Sequence, residues 1–149
     1  MRDHPHTPRL ETAHEVMFFD TDAGGVVHNI AYLRFIETCR TKLGTALGLG
    51  LREMAADGRF AVVLRTEIDY LKPAILGDEL IVHGWLEKLE RVRFWCGFEV
   101  VRPADGARLI ACRQALALVK MPEGKPLRLA ADWSTRWPHL VASGRERSS

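Results

Sequence analysis

The apolar positions of this chain change their spacing near residue 59, which separates a helical region from a strand-rich one. A first strand is predicted at residues 12–19, after a loose polar stretch at residues 1–11. Between residues 30 and 47 the apolar positions recur every three or four residues, which predicts a helix with one apolar stripe. The stripe consists of Tyr32, Phe35, Ile36, Cys39, Leu43 and Leu47.

Residues that commonly begin and end helices support these bounds. Asn29 precedes the stripe and is a favoured N-cap residue. Gly48 and Gly50 follow it, and glycine readily adopts the backbone conformation that ends a helix. A second short helix is predicted at residues 51–57, ending at Gly58.

From residue 60 onward, apolar and polar residues alternate with the period of two that is typical of strands. Turn residues such as Pro73 and Gly106 divide this region. The predicted strands cover residues 60–71, 79–89, 92–100 and 109–119. A short helix near residues 130–136 and a polar tail are predicted in the C-terminal extension, residues 121–149.

The order of elements predicts a single α+β domain over residues 1–149, with a core at about residues 12–120. One long central helix would be wrapped on one side by a five-stranded antiparallel sheet. The other face of the sheet would be either solvated or paired with a second subunit.

Composition narrows the possible partners. Hydrophobic residues make up 47% of the 149-residue chain and charged residues 27%, which is typical of a globular domain. The formal net charge of +2 is too small to favour nucleic acid, although it suits an anionic small molecule. No apolar run approaches the roughly 18 residues of a membrane span, and the N-terminal residues are too polar for a signal peptide. We therefore expect a cytoplasmic protein.

Metal and cofactor motifs are absent from the sequence outside its polar N-terminal stretch. Cys39, Cys96 and Cys112 lie far apart in apolar surroundings, which predicts buried thiols rather than a metal site or a disulfide framework. His4 and His6 form a His-x-His pair, but they lie in the polar tail, where we do not expect a structural metal. There is no His-xxx-His pair and no dinucleotide fingerprint. We expect no metal and no cofactor.

The candidate site is the loop at residues 19–29, which combines two carboxylates, two glycines and a histidine. Gly24 and Gly25 would let the chain fold back, so that Asp22 reaches the free N–H groups at the start of the long helix. A carboxylate beside such N–H groups suits acyl transfer, because the groups polarise a carbonyl that the carboxylate or an activated water attacks. The alternative is an acidic turn that only caps the helix. His28 is either a base or a surface residue.

Charged residues elsewhere admit two interpretations. Lys88, Arg91 and Arg93 surround one predicted turn and form either a solvated basic edge or a contact for a phosphate group. Glu37 and Arg40 are three residues apart on the long helix, which predicts an ion pair.

The loop resembles the 4-hydroxybenzoyl-CoA thioesterase class of the hot dog fold, especially its bacterial acyl-CoA thioesterase branch. The resemblance is carried by residues 18–27, then by Tyr32-Leu33-Arg34-Phe35-x-Glu37-x-x-Arg40, and it covers about residues 12–120. It continues through Tyr70-Leu71-Lys72-Pro73-Ala74 and Gly77-Asp78-Glu79-Leu80.

The resemblance implies a function and a set of roles. Asp22 would be the nucleophile or general base of an acyl-CoA thioesterase, and the Asn29 backbone N–H would polarise the thioester carbonyl. Asp20 would support the loop. Such proteins form homodimers, joined edge to edge through their sheets, and often homotetramers. The acyl-CoA then lies between subunits, here against Gly25, Val26, Tyr32, Arg91 and Arg93.

One position departs from the family pattern. Many members of this branch have Tyr-His where this chain has His28-Asn29, and their histidine assists the aspartate. Asn29 cannot move a proton near neutral pH, although Asn29 and His28 could position a water. Two other interpretations stay open: a non-catalytic module that binds acyl-CoA or acyl-carrier protein, and a dehydratase of the wider fold.

Overall fold

The computed structural model describes residues 7–142, and the predictions for residues 1–6 and for the polar tail from residue 143 lie outside them. The strands are β1 (Arg9–Glu15), β2 (Arg59–Tyr70), β3 (Glu79–Leu89), β4 (Arg93–Arg102), β5 (Ala107–Lys120) and β6 (Lys125–Leu127). The helices are α1 (Asn29–Ala46), α2 (Leu51–Asp57) and α3 (Ala131–Arg136), with 3₁₀ turns at Phe18–Asp20 and Pro138–Leu140.

The strands form one antiparallel sheet in the order β1-β3-β4-β5-β2. The predicted five strands are therefore present. The short strand β6, which the sequence analysis missed, pairs with the end of β5. The α+β arrangement and the predicted bounds of α2 are confirmed, and α3 matches the predicted C-terminal helix to within one residue.

The first strand lies about three residues earlier than predicted. Residues 9–11, expected in a loose tail, pair with β3 as part of β1. Residues 18 and 19, expected in the strand, form a 3₁₀ turn with Asp20, because the Asp20 N–H donates to the Met17 carbonyl at 2.9 Å. The Asp20 carboxylate also accepts from the Met17 N–H at 2.8 Å, which closes this turn.

Helix α1 packs its apolar stripe across the inner face of the sheet. Its side chains Ile36, Cys39 and Leu43 are fully buried, against Val82 of β3 and Phe98 of β4 among others. The approach is close at Gly84, where an added Cβ would lie 2.7 Å from the Cys39 Sγ. A side chain at position 84 would therefore push the helix away from the sheet.

The C-terminal extension closes one end of this core. Trp133 of α3 stacks edge-to-face on Phe94 with ring centroids 5.2 Å apart, and Trp137 lies beside it. Both tryptophans are about 2% exposed. The extension is thus part of the folded domain as far as residue 142.

Strand β2 forms one edge of the sheet. One side of it pairs with β5, and the other pairs with no strand among residues 7–142. The strand has 12 residues and leaves Val63, Leu64 and Tyr70 exposed. A long unpaired edge that exposes apolar side chains is a template for pairing with another strand.

The buried stripe of α1 can be tested with a matched pair of isoleucines. Ile36→Ala should lower the free energy of unfolding by about 2–5 kcal/mol, because Ile36 is fully buried and the change leaves a cavity. Ile30→Ala on the same helix should change it by less than about 0.5 kcal/mol, because Ile30 is 68% exposed. Urea unfolding of both variants measures the difference, and equal losses would contradict the packing described.

Candidate active site

The acidic loop is a tight turn between the 3₁₀ turn and helix α1. Thr21 and Val27 form an isolated antiparallel bridge, and the Asp22 N–H donates to the Val26 carbonyl at 2.9 Å. Gly25 has φ of 77°, a left-handed conformation that glycine adopts without strain. The loop therefore folds back on itself, as the two glycines predict.

A second chain segment, residues 71–78, holds this loop against the helix. The Val27 N–H donates to the Ala74 carbonyl at 2.9 Å, and the Leu76 N–H donates to the Gly25 carbonyl at 3.0 Å. The Ala74 N–H donates in turn to the Tyr32 hydroxyl at 2.9 Å. The carbonyl and the N–H of the buried residue Ala74 thus connect the loop to α1.

The two aspartates of the loop have different surroundings. Asp20 is 2% exposed, and its carboxylate accepts from the Met17 N–H and from the Arg34 guanidinium at 2.5 Å. Its backbone carbonyl accepts from the His28 N–H at 3.1 Å. Asp20 therefore ties the 3₁₀ turn to the start of α1, which agrees with the supporting role expected of it.

Asp22 is exposed, and only one of its carboxylate oxygens is used by the loop. Its Oδ1 accepts from the Gly24 N–H at 2.9 Å and from the Val26 N–H at 3.3 Å. Oδ2 makes no hydrogen bond within the part of the chain that the structure describes. The backbone thus fixes the orientation of the carboxylate and leaves one oxygen available to a water or a carbonyl carbon.

The helix begins with His28 as its N-cap, so the prediction of Asn29 in that role is wrong. The His28 Nδ1 accepts from the Ala31 N–H at 3.2 Å, and its Nε2 lies 3.4 Å from the Phe19 carbonyl. An Nδ1 that accepts carries no proton, so the contact fits an imidazole protonated on Nε2 alone. The cap therefore occupies the nitrogen that a general base would need.

Asn29 is instead the first residue of α1, and it is exposed. A helix leaves its first N–H groups without partners inside the helix, and they concentrate partial positive charge at its N-terminus. The backbone N–H of Asn29 is one of these groups. A carbonyl oxygen in front of the helix could accept from it.

A cleft of about 210 Å³ opens beside this helix start. The structure brings the predicted residues Val26, Asn29 and Tyr32 together in it, with Gly25 in the adjoining turn. The Tyr32 hydroxyl already accepts from Ala74, and burial raises the pKa of this side chain. Tyr32 thus contributes its ring to the cleft wall.

The other wall was not predicted from the residues themselves. It consists of Tyr70, Leu71, Lys72 and Pro73, where β2 ends and the segment that holds the loop begins. These residues belong to the run from Tyr70 to Ala74 that contributes to the family resemblance, and that resemblance is the sequence feature that could have identified them. The pattern of apolar residues alone shows only that a strand ends there.

Arg91 and Arg93 lie far from this cleft within one chain. Strand β3 begins beside the loop, where Glu79 pairs with Glu15, and ends ten residues later at Leu89. At about 3.3 Å per residue, the turn that follows is roughly 33 Å away. Arg93 also donates to the Glu90 carboxylate at 2.7 Å, and that carboxylate's pKa is lowered although its burial acts the other way.

The predicted pair of Glu37 and Arg40 is a weak contact. Their charged atoms are 4.0 Å apart, whereas the Arg40 Nη1 donates to the Gln114 Oε1 at 2.7 Å. The Gln114 amide then donates to the Thr66 hydroxyl at 3.1 Å. Arg40 is held by this neutral network more than by its helical neighbour.

The cysteines are unsuited to nucleophilic chemistry. All three are buried free thiols, as predicted, and burial raises the pKa of Cys39 to about 11 and those of Cys96 and Cys112 to about 12. Thiolates are therefore scarce near neutral pH. Among residues 7–142, no three His, Cys, Asp or Glu side chains are grouped closely enough to hold a metal ion. No helix in this range is long and apolar enough to span a membrane.

Known proteins share both the sequence and the architecture. A model of the thioesterase-like superfamily matches residues 16–137. The chain is 40% identical over 126 residues to an acyl-CoA thioesterase, YbgC, of Haemophilus influenzae, covering 84% of this chain and 91% of that protein. It is 31% identical over 126 residues to a 1,4-dihydroxy-2-naphthoyl-CoA hydrolase of Synechocystis, covering 81% and 88%.

A solved structure has the same fold. The crystal structure of a 1,4-dihydroxy-2-naphthoyl-CoA thioesterase from Synechocystis superposes with a TM-score of 0.76. The superposition covers 89% of this chain and 97% of that one at 22% identity. The hot dog fold expected from the sequence is confirmed.

The cap formed by His28 leads to a stability prediction. His28→Ala should lower the free energy of unfolding by about 1 kcal/mol, because the Ala31 N–H loses its side-chain acceptor. His28→Asn should restore most of it, since asparagine is a favoured N-cap residue. Thermal or urea unfolding measures both variants, and equal stability of the wild-type and alanine chains would contradict the assigned cap.

Proposed function

We propose that this chain, which belongs to the thioesterase-like superfamily, hydrolyses acyl-CoA thioesters to a carboxylic acid and free CoA through Asp22. The orientation of Asp22 is the observation that carries the proposal. Its Oδ1 is fixed by two backbone N–H groups of the loop that leads into α1, and its Oδ2 makes no hydrogen bond within residues 7–142. The relatives named as acyl-CoA and 1,4-dihydroxy-2-naphthoyl-CoA hydrolases support CoA as the leaving group.

The proposed reaction needs only this chain's carboxylate and backbone. The thioester carbonyl oxygen accepts from the Asn29 N–H, whose partial positive charge stabilises the developing oxyanion. Asp22 either takes a proton from an attacking water or attacks the carbonyl carbon itself. The carbon–sulfur bond then breaks, and the CoA sulfur leaves as a thiolate that takes up a proton. If Asp22 attacks, water hydrolyses the resulting anhydride.

The two roles of Asp22 differ in the origin of one oxygen atom. In a single turnover in ¹⁸O-labelled water, attack by a water puts the label into the acid at once. Attack by Asp22 gives an unlabelled acid if water then adds to the aspartyl carbonyl of the anhydride, and the label stays in the protein. Mass spectrometry of the acid and of the peptide that contains Asp22 distinguishes these outcomes.

We also propose that the enzyme is a homodimer paired through β2. The long unpaired edge of β2, with Val63 and Leu64 exposed near its middle, supports this arrangement. A strand that pairs with its own copy about a two-fold axis runs antiparallel to it. The turn at Arg91 of one copy then lies at the same end of the joined sheet as the Asp22 loop of the other. This geometry would allow Arg91 and Arg93 to meet CoA phosphates bound at the second copy's loop.

A binding module without turnover is the second candidate. It is favoured by the His28 cap, because the capping contact uses Nδ1 and Asn29 offers no proton-transfer group. Asp22 would then have to act without a second proton-transfer group from either residue. Binding of acyl-CoA with no release of acid or thiol, across aliphatic and aromatic acyl groups, would identify the module.

Asp22 is tested by removing its charge. Asp22→Asn should lower kcat by about 10²- to 10⁴-fold, because the amide neither accepts a proton nor attacks a carbonyl near neutral pH. Thiol release from a panel of acyl-CoA thioesters measures the rate. Asp132→Asn, at an exposed position of α3, is the control and should keep full activity. Full activity of Asp22→Asn would overturn the assignment.

The β2 interface is tested by a charge on its edge. Leu64→Glu should convert a dimer into monomers and abolish hydrolysis, because Leu64 is 54% exposed on the unpaired edge and buried carboxylates would meet across the axis. Val141→Glu introduces the same charge at an exposed residue away from β2 and should remain dimeric. Light scattering after gel filtration reports the mass. A dimeric Leu64→Glu variant would exclude this interface.

A further inference from the structure

A second cavity lies between the C-terminal half of α1, helix α2 and the inner face of the sheet. Its volume is about 200 Å³. Its walls are mostly apolar. They include Leu43, Leu47, Met54, Phe94 and Leu116.

The cavity exists partly because position 44 of α1 has no side chain. A glycine inside a helix costs about 0.5–1 kcal/mol relative to alanine. Gly44 lines the cavity, and an added Cβ would meet only the Leu49 carbonyl oxygen at 3.7 Å and the Leu49 Cβ at 3.9 Å. These are ordinary contacts, so packing does not require a glycine here. A larger side chain at this lining position would be expected to occupy part of the cavity.

The polar side chains that line the cavity carry no net charge. Arg40 and Glu37 both line it, and their charged atoms are 4.0 Å apart. Thr41 adds a hydroxyl. A cation and an anion at this separation largely cancel each other, so neither a carboxylate nor an ammonium gains much from entering. The cavity therefore suits an uncharged ligand.

Within one chain the cavity is remote from the Asp22 loop. Gly44 follows Asn29 by 15 residues along α1, or about 22 Å at 1.5 Å per residue. The cavity lies instead at the start of β2, where Phe60 and Ala61 line it. The cleft beside Asn29 lies at the other end of the same strand, at Tyr70.

Pairing of β2 with its own copy would bring these two ends together. Because the paired strands run antiparallel, the start of β2 in one copy lies beside the end of β2 in the other. The cavity of one copy then adjoins the cleft of the second copy. This step rests on the dimer and the reaction proposed above.

We infer that the cavity of one subunit holds the acyl group of the thioester that reacts at the Asp22 loop of the other, and that Gly44 sets its size limit. The acyl group is uncharged and compact. An apolar cavity of about 150 Å³ accommodates benzene, so about 200 Å³ holds a single ring or a short branched chain. Longer chains do not fit within this volume.

The size limit is tested by filling the cavity from two sides. Gly44→Leu and Ala61→Leu should each lower affinity for the largest acyl group that the native protein accepts by at least about 10-fold, with little effect on acetyl-CoA. Gly44→Ala should give an intermediate loss. Ala46→Leu adds the same side chain at an exposed position of the same helix and should leave the acyl preference unchanged. Thermal melting confirms that each variant folds.

Binding is measured in the Asp22→Asn background by calorimetry with a series of acyl-CoA thioesters. This measurement does not require turnover, so it separates the two proposals. A selective loss of affinity for the largest acyl group in Gly44→Leu and Ala61→Leu supports the cavity, whether or not the native protein hydrolyses the ligand. An unchanged preference in both folded variants overturns the inference, even if Asp22 proves to be essential for hydrolysis.

Mixed dimers test whether the cavity serves the other subunit. A dimer of one Asp22→Asn chain and one Gly44→Leu chain has a single intact carboxylate, on the chain whose own cavity is filled. If the acyl group enters the opposite subunit, this site uses the native cavity and keeps the native acyl preference. If hydrolysis by the mixed dimer shows the preference of the Gly44→Leu homodimer, the assignment to the opposite subunit is wrong.

Discussion

The position of the candidate site depends on hydrogen bonds made by one buried peptide segment at Ala74. The carbonyl of Ala74 accepts from Val27 in the acidic loop, and its N–H donates to the Tyr32 hydroxyl on the helix. Ala74 is fully buried, so water does not compete for either group. Loss of either bond would leave a buried polar group unsatisfied, at a cost of about 1–3 kcal/mol. The position of the loop relative to the helix is therefore fixed, although few side chains of the loop are buried.

The buried carboxylate of Asp20 adds a second constraint from the opposite side of the loop. It accepts from Met17 and Arg34, and its residue also accepts the backbone N–H of His28. Asp22 is thus held between two supports without being buried itself. The carboxylate of Asp22 therefore has a fixed orientation and still has one oxygen without a hydrogen bond to the loop. A catalytic carboxylate needs both properties.

Most of the fold follows from the spacing of apolar residues, because burial on one face is a property of local sequence. The stripe from Tyr32 to Leu43 and the alternation in β3, β4 and β5 each predict their element within two or three residues. The errors occur where a side chain competes with the backbone. Asp20 ends the first strand early by closing a turn, and His28 rather than Asn29 caps α1. Histidine is an uncommon N-cap residue, so the sequence alone does not identify His28 as the cap of α1.

The candidate site was predictable in part for the same reason. Asp22, Gly25, Val26 and Asn29 lie within eight residues of one loop, so local chain geometry keeps them near one another, and Val26 and Asn29 line the cleft. The wall at Tyr70 and Lys72 comes from a segment more than 40 residues away, and only the fold brings it to the loop. The basic residues at the far turn, Arg91 and Arg93, illustrate the opposite case. Their charge suggested a phosphate contact, yet the direction of β3 and β4 separates them from the loop of their own chain.

The peptide groups at Ala74 have a consequence for how this protein tolerates change. The side chain of Ala74 is a methyl group with no polar atom, so side-chain chemistry alone gives no sign that the position matters. The methyl is fully enclosed, however, and a larger side chain would displace the backbone that anchors both the loop and Tyr32. Substitutions at this position are thus limited by the backbone contacts it makes, and an engineered library that varies only polar residues near Asp22 would not sample it.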